Sequence, residues 1–438
     1  MRTTTHRRDS RQAGSGLGFL PHREQLRRVS VVLAGALALT ALGIRTIAQG
    51  ESGSPYLVTW AGDADRADSD FLAVIDARRH STTYGQIVNS IPVNARGTFP
   101  HHTEHFFTPR VPLFANGFGS GRTFRFDLTN PARPKLLGEV QTDGPLAFPH
   151  SFERLPNGNL LATMQAKNGG FQGPGGLAEF DNDGRLVRTS GAGVEGISPN
   201  ALRPYSLAVI PHTDRVVTAS ERMLLPSWDP DRNRERDPQE GYHVQLWRLS
   251  DLTLLKTLIL EAPSGTDANR GPVEPRVLGD GTVMVSTDRC GLYRIAGLEP
   301  DTFKGEFVYR HPGPGCWVPA VIGKYWLQSV QSLRRVVVLD LGNPSAPLEV
   351  SHVEFDSRQA PHWLSVDPLS RRVVMTNSPG QPDHRIWMLN FDPLNGRLSI
   401  DERFRDAGSQ SPGISFNRPD WPHGPTGDSI PHGTIFVK

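Results

Sequence analysis

A pair of short β-type runs recurs seven times along this 438-residue chain. The first run of each pair covers 56–60, 112–116, 159–164, 215–220, 282–286, 324–329 and 372–376; the second covers 71–75, 123–128, 176–180, 244–249, 291–295, 335–339 and 385–389. Several second runs close on an acid, as at Asp127, Asp181 and Asp340. Most pairs lead into a third, more polar strand, for example at 135–140, 186–189 and 398–401. Repetition at a fixed period belongs to arrays whose units cannot bury their apolar faces alone.

A fourth strand precedes each pair from the second onward. Six of these open with a proline and one further residue: Pro100-His101, Pro149-His150, Pro204-Tyr205, Pro275-Arg276, Pro319-Ala320 and Pro361-His362. No such strand stands before the first pair. The seventh copy, Pro431-His432, is instead found near the C-terminus, followed by Gly-Thr-Ile-Phe-Val. A last strand that completes the first unit closes a ring, and closure removes the sheet edges an open array would expose. The expected fold is therefore all-β: a seven-bladed β-propeller over residues 49–438, closed by the C-terminal strand. A β-sandwich with extra hairpins explains neither the seven copies nor the displaced one.

Composition agrees. Gly (44) and Pro (37) make up about 18% of the chain, against roughly 12% in ordinary proteins. That frequency of turns excludes a helical bundle and a doubly wound α/β fold with long helices. The net charge of +2 is a sum over two unlike parts. Residues 1–48 hold eight Arg and the two acids Asp9 and Glu24, so the remainder is mildly acidic and offers no basic face to nucleic acid. An apolar run from Val31 to Ile44 follows Arg27-Arg28 and ends near Thr46-Ile47-Ala48. It is shorter than the roughly 20 residues a spanning helix needs. Residues 1–48 read as a signal peptide, with a loose twin-arginine likeness, or as an N-terminal anchor. Either places the folded part in the periplasm or outside the cell.

In a propeller the strand that opens each unit lines the central channel. The loops before it, and those between the next two strands, share one rim. The long segments 166–175, 221–242 and 405–430 all fall on that rim, where they would wall off the channel mouth. The second position of the proline signature should face the channel there. It reads His362, His432, His101 and His150 over four consecutive blades, and Tyr205, Arg276 and Ala320 over the other three. Pseudo-symmetry converges the four histidines near the axis. Neutral imidazoles so converged form a metal site suited to Cu, Fe, Zn or Ni. His102 can replace or join His101. Glu104 and Glu153, three residues beyond inner histidines, are expected either to orient a ligand's second nitrogen or to be satisfied channel carboxylates. Tyr205 and Arg276 would face the site and hold an anionic or oxygen-rich substrate, or simply fill the channel. His311 and His384 read as surface positions. Cys290 and Cys316 lie in rim loops of neighbouring blades and read as a disulfide, with a free thiol near the metal as the alternative.

Seven blades, the His101-His102 pair on one inner strand, His150 about fifty residues later and His432 near the C-terminus together resemble the selenium-binding protein family, which includes methanethiol oxidases. The resemblance implies a copper site at these histidines. It also implies oxidation of small thiols to an aldehyde, hydrogen sulfide and hydrogen peroxide. Where that family carries a Cys-containing segment after the pair, this chain has Thr103-Glu104-His105-Phe106-Phe107. The expectation is an exported copper-dependent oxidase acting on a small reduced substrate with oxygen. Two alternatives stand beside it: an iron-dependent oxygenase of the four-histidine, carotenoid-cleaving type, and a non-catalytic propeller that binds a ligand or protein on its rim. Oligomeric state is not readable from the sequence.

Overall fold

The structure is a computed structural model that describes residues 53–140, 144–227, 229 and 232–438. The expected signal or anchor segment at 1–48 lies outside the described residues.

Seven antiparallel sheets follow one another along the chain, six of four strands and the seventh with a short fifth strand, Ile414–Ser415, added to its four. Blade 1 holds Tyr56–Asp63, Phe71–Asp76 and Ile87–Pro92 and takes its inner strand, Ser429–Val437, from the other end of the chain. Tyr56 pairs with Val437 and Asp63 with Ser429. The inner strands of blades 2 to 7 are Pro100–Thr103, Leu146–Arg154, Pro204–Ile210, Pro272–Val277, Ala320–Ile322 and Pro361–Val366. The seven-bladed, closed architecture read from the repeats is the one observed.

The pattern of apolar residues explains the layering. Middle strands are sandwiched between neighbouring blades and are largely apolar, so every residue of Phe71–Asp76 and of Tyr325–Val330 is buried, the polar Gln328 and Ser329 included. Outer strands alternate, as Lys135–Glu139 does. The acids that close the second runs make tight turns. Asp127 accepts from the Thr129 amide and hydroxyl at 2.8 and 2.6 Å, and Asp340 from the Gly342 amide at 2.7 Å. Cys290 and Cys316 form a disulfide between blades 5 and 6, and both are fully buried.

The long rim segments divide in their roles. Phe171 and Leu225 join Phe118 and Ala166 in an apolar cluster at the channel mouth, with Phe99, Phe148 and Met223 against it. The 405–430 segment does not cover the mouth. Ile414, Phe416 and Trp421 lie against Phe71, Ile386 and Met388, and Ile414 pairs with Ile386, so this segment straps blades 7 and 1 together. Only Ile430, where it meets the inner strand, reaches the chamber described below.

Candidate metal centre

Each inner strand begins with one residue too many for its partner. In blade 4, Pro204 pairs with Ser220 but Ser206 with Ala219, leaving Tyr205 unpaired. In blade 7, Pro361 pairs with Asn377 and Trp363 with Thr376, leaving His362. The same β-bulge falls between Pro149 and Phe152, between Pro100 and Thr103, and between Pro431 and the partner of Thr59. A bulge turns its extra side chain off the pleat, which is how His150, His101 and His432 come to face the axis.

The register corrects two sequence assignments. In blade 5, Pro272 pairs with Thr287 and Glu274 with Ser286, so Val273 holds the bulge, not Arg276. In blade 6, Cys316 pairs with Val330 and Ala320 with Leu327. The extra residue therefore precedes Ala320, and the Trp317 ring lies 5.3 Å from that of His362. Pro275 and Pro319 sit three residues past the true signature and imitate it. Arg276 is consequently one step down the channel, its Nη2 3.3 Å from His105 Nε2 and its Nη1 2.8 Å from Glu274.

Five histidines meet at the axis. Ring centroids are 4.4 Å apart for His101 and His102, 4.3 Å for His102 and His150, 4.1 Å for His101 and His432, and 4.8 Å for His362 and His432. His101 Nε2 stands 3.0 Å from His150 Nε2. One nitrogen each from His101, His102 and His150 lies within 4.8 Å of the others. Burial, reinforced by neighbouring histidines, pushes the pKa of His101, His102 and His432 well below the usual value; burial takes His150 and His362 down to about 3. All five are thus neutral, with lone pairs available at physiological pH.

Hydrogen bonds aim two of these rings. His150 Nδ1 donates to the Tyr205 carbonyl at 2.6 Å, leaving Nε2 bare. His102 Nδ1 lies 2.9 Å from the Ser151 hydroxyl. Opposite them, His101 Nδ1, His102 Nε2 and both nitrogens of His362 and His432 are buried with no hydrogen-bond partner. Orphaned polar atoms at this density are costly, and a cation shared by His101, His102 and His150 would take one nitrogen from each ring. The donor set, all imidazole, fits a borderline transition metal.

A second layer clamps the bulges, and the sequence reading missed it. The Asn116 amide donates to the Pro149 and His150 carbonyls at 2.7 and 2.8 Å, and Thr163 to that of Tyr205 at 2.9 Å. Ser329 donates to the His362 carbonyl at 2.9 Å and Thr376 to that of His432 at 3.1 Å. Each is a polar residue at the same register of the second strand of the preceding blade. That recurrence was the available signal.

The acids do not orient ligands. Glu104 is buried in an ion pair with Arg154 at 2.7 Å and accepts from the Phe114 amide. Glu153 accepts from the Val209 amide at 3.1 Å, and burial raises its pKa to about 7. With His105 and Arg276 they line a cavity of about 380 Å³ lower in the channel. Tyr205 does reach the histidines, its ring 3.9 Å from that of His150. His311, expected at the surface, is buried, and His384 is half-buried. On the rim side a chamber of about 690 Å³ opens against His101, His362 and Tyr205.

No family model matches the chain. Individual relatives do. It is 33% identical over 314 residues to a methanethiol oxidase of a Hyphomicrobium species, covering 64% of this chain and 67% of that one. It is 31% identical over 180 residues to a methanethiol oxidase of Ruegeria pomeroyi, covering 37% of this chain and 40% of that one. Among solved structures, a hypothetical selenium-binding protein from Sulfolobus tokodaii superposes with a TM-score of 0.68 at 17% identity, over 87% of this chain and 93% of that one. A periplasmic gluconolactonase of Pseudomonas aeruginosa gives 0.57 at 14% identity, over 87% and 99%. The last two establish the propeller alone. The sequence relatives carry the assignment: the chain belongs to the selenium-binding protein family, that of the methanethiol oxidases.

Proposed function

We propose that the chain is an exported, metal-dependent oxidase of thiols. His101, His102 and His150 would hold the metal, with His432 and His362 as further ligands, and copper is the metal proposed ahead of iron. The observation that carries the reading is the convergence of unpartnered, neutral ring nitrogens at the head of the chamber, in a relative of methanethiol oxidases.

The proposed reaction converts a primary thiol, dioxygen and water to an aldehyde, hydrogen sulfide and hydrogen peroxide. The carbon loses two electrons and its bond to sulfur, water supplies the aldehyde oxygen, and dioxygen takes up the two electrons. The metal would supply the route for those electrons. The protein's part is positioning: Ser151 and the Tyr205 carbonyl hold two imidazoles in place, and Phe118, Phe148 and Phe171 exclude water above His101 and His150.

Metal analysis of purified wild type against His150→Ala and His432→Ala tests the reading. A stoichiometric metal that falls in both variants is expected; unchanged content in both overturns it. Export is tested by fractionation with and without residues 1–48.

A further inference from the structure

The chamber is far larger than a one-carbon thiol requires. At about 690 Å³ it has room for roughly twenty waters, whereas such a thiol has two heavy atoms. We propose, resting on the oxidase reading above, that the substrate is a primary thiol whose apolar body has four or more carbons, seated between Phe99 and Trp317.

The two rings flank the histidines that open to the chamber. Phe99 stacks on His101 with centroids 6.1 Å apart and planes within 7°, and Trp317 packs against His362 at 5.3 Å. Trp317 lies between the Cys316–Val330 and Ala320–Leu327 pairs, within the bulged stretch where four other blades carry histidine, so blade 6 contributes an apolar wall where a ligand could stand. Met223 and Leu224 extend the lining from the 221–242 segment, and Leu224 is 47% exposed.

Charges on the same wall are largely engaged elsewhere. Arg236 pairs with Glu221, Arg222 lies 3.6 Å from Glu240, and Asp70 accepts from the Thr98 amide and hydroxyl. Asp63, Arg66, Arg232 and Asp288 also line the chamber, so the apolar seat is the part formed by Phe99, Trp317, Met223, Leu224 and Pro226.

Backbone strain marks Phe99 independently. The residue before the inner-strand signature has positive φ in four blades: Gly271 at 70° and Gly315 at 87° in blades 5 and 6, Phe99 at 59° and Phe148 at 58° in blades 2 and 3. Glycine adopts this conformation freely. A bulky side chain there is strained, and such strain clusters at ligand sites. In blades 2 and 3 these strained positions put the Phe99 ring at the chamber and the Phe148 ring in the apolar cluster at the channel mouth.

The test measures binding separately from turnover. Methanethiol, 1-butanethiol and phenylmethanethiol are titrated calorimetrically into the protein as isolated, without oxygen. A buried methylene is worth roughly fourfold in affinity, so the larger thiols should bind at least tenfold more tightly than methanethiol. Phe99→Gly and Trp317→Ala should each cut that preference at least threefold. Phe99→Gly should leave the melting temperature within a few degrees of wild type, because relief of strain offsets lost burial. Equal binding of all three thiols, or a preference unchanged in both variants, overturns the proposal. Oxygen uptake is followed in parallel: its absence with every thiol sinks the oxidase reading, while the binding ratios still decide this one.

Discussion

His150 Nδ1 and the Tyr205 carbonyl are joined at 2.6 Å across the boundary between blades 3 and 4. The carbonyl also accepts from Thr163 at 2.9 Å, so both its lone pairs are used. A carbonyl can only accept. The imidazole must therefore carry its proton on Nδ1 and present a bare Nε2 to the axis, its tautomer set by backbone that another blade holds in place.

Ser151→Ala removes the hydroxyl 2.9 Å from His102 Nδ1. Partners of this kind typically contribute 10- to 100-fold to metal affinity. The expected result is a loss in that range by competition with a chelator, with thermal stability changed by about 1 kcal/mol. Unaltered affinity would mean that His102 is not a ligand.

Glu104→Gln should separate structure from metal binding. It leaves Arg154 facing a neutral partner in a buried setting, which costs about 3–5 kcal/mol. Denaturant titration should show that loss while metal content per folded protein stays at the wild-type value. A fall in metal content at full stability would restore the ligand-orienting role that the sequence allowed.

Glu153 gives a pH signature. Burial raises its pKa from 4.5 to about 7, against the stabilising Val209 amide and Arg276. The folded protein therefore binds more protons than the unfolded chain between these values. The stability this group confers is complete below about pH 4.5 and is lost as pH rises through about 7. Glu153→Gln, which keeps the acceptor for the Val209 amide, should flatten that decline and be about 1–3 kcal/mol more stable than wild type at pH 8. A parallel pair of stability-versus-pH curves would contradict it.

The disulfide closes a loop of 26 residues. Replacing Cys290 and Cys316 together with alanine should lower stability by about 3 kcal/mol, read as an earlier denaturant midpoint. Because both sulfurs are fully buried, mild reductant should leave the folded protein unchanged.

Much of this molecule was legible because its information is periodic. Seven paired runs and one displaced copy near the C-terminus define the ring, and Pro-His at three inner strands plus Pro431-His432 defines four of the five histidines. What escaped was register. Pro275-Arg276 and Pro319-Ala320 carry the right letters three residues late, and only strand pairing reveals Val273 and Trp317 at the bulges. The acids misled for a related reason. A charge three residues along a strand points away from the bulge, and Glu104 is neutralised by Arg154, fifty positions away. The clamps Asn116, Thr163, Ser329 and Thr376 each serve the following blade, a relationship that spacing within one unit does not contain.

The borrowed strand of blade 1 has a consequence for how the protein is made. His432 is synthesised after every other member of the histidine cluster, and His101 among the first. No partial product ending before His432 can assemble the full set, however well its earlier blades have folded. On the proposed reading, metal loading would report that the chain is complete, and a truncated or stalled chain would hold an incomplete set of ligands.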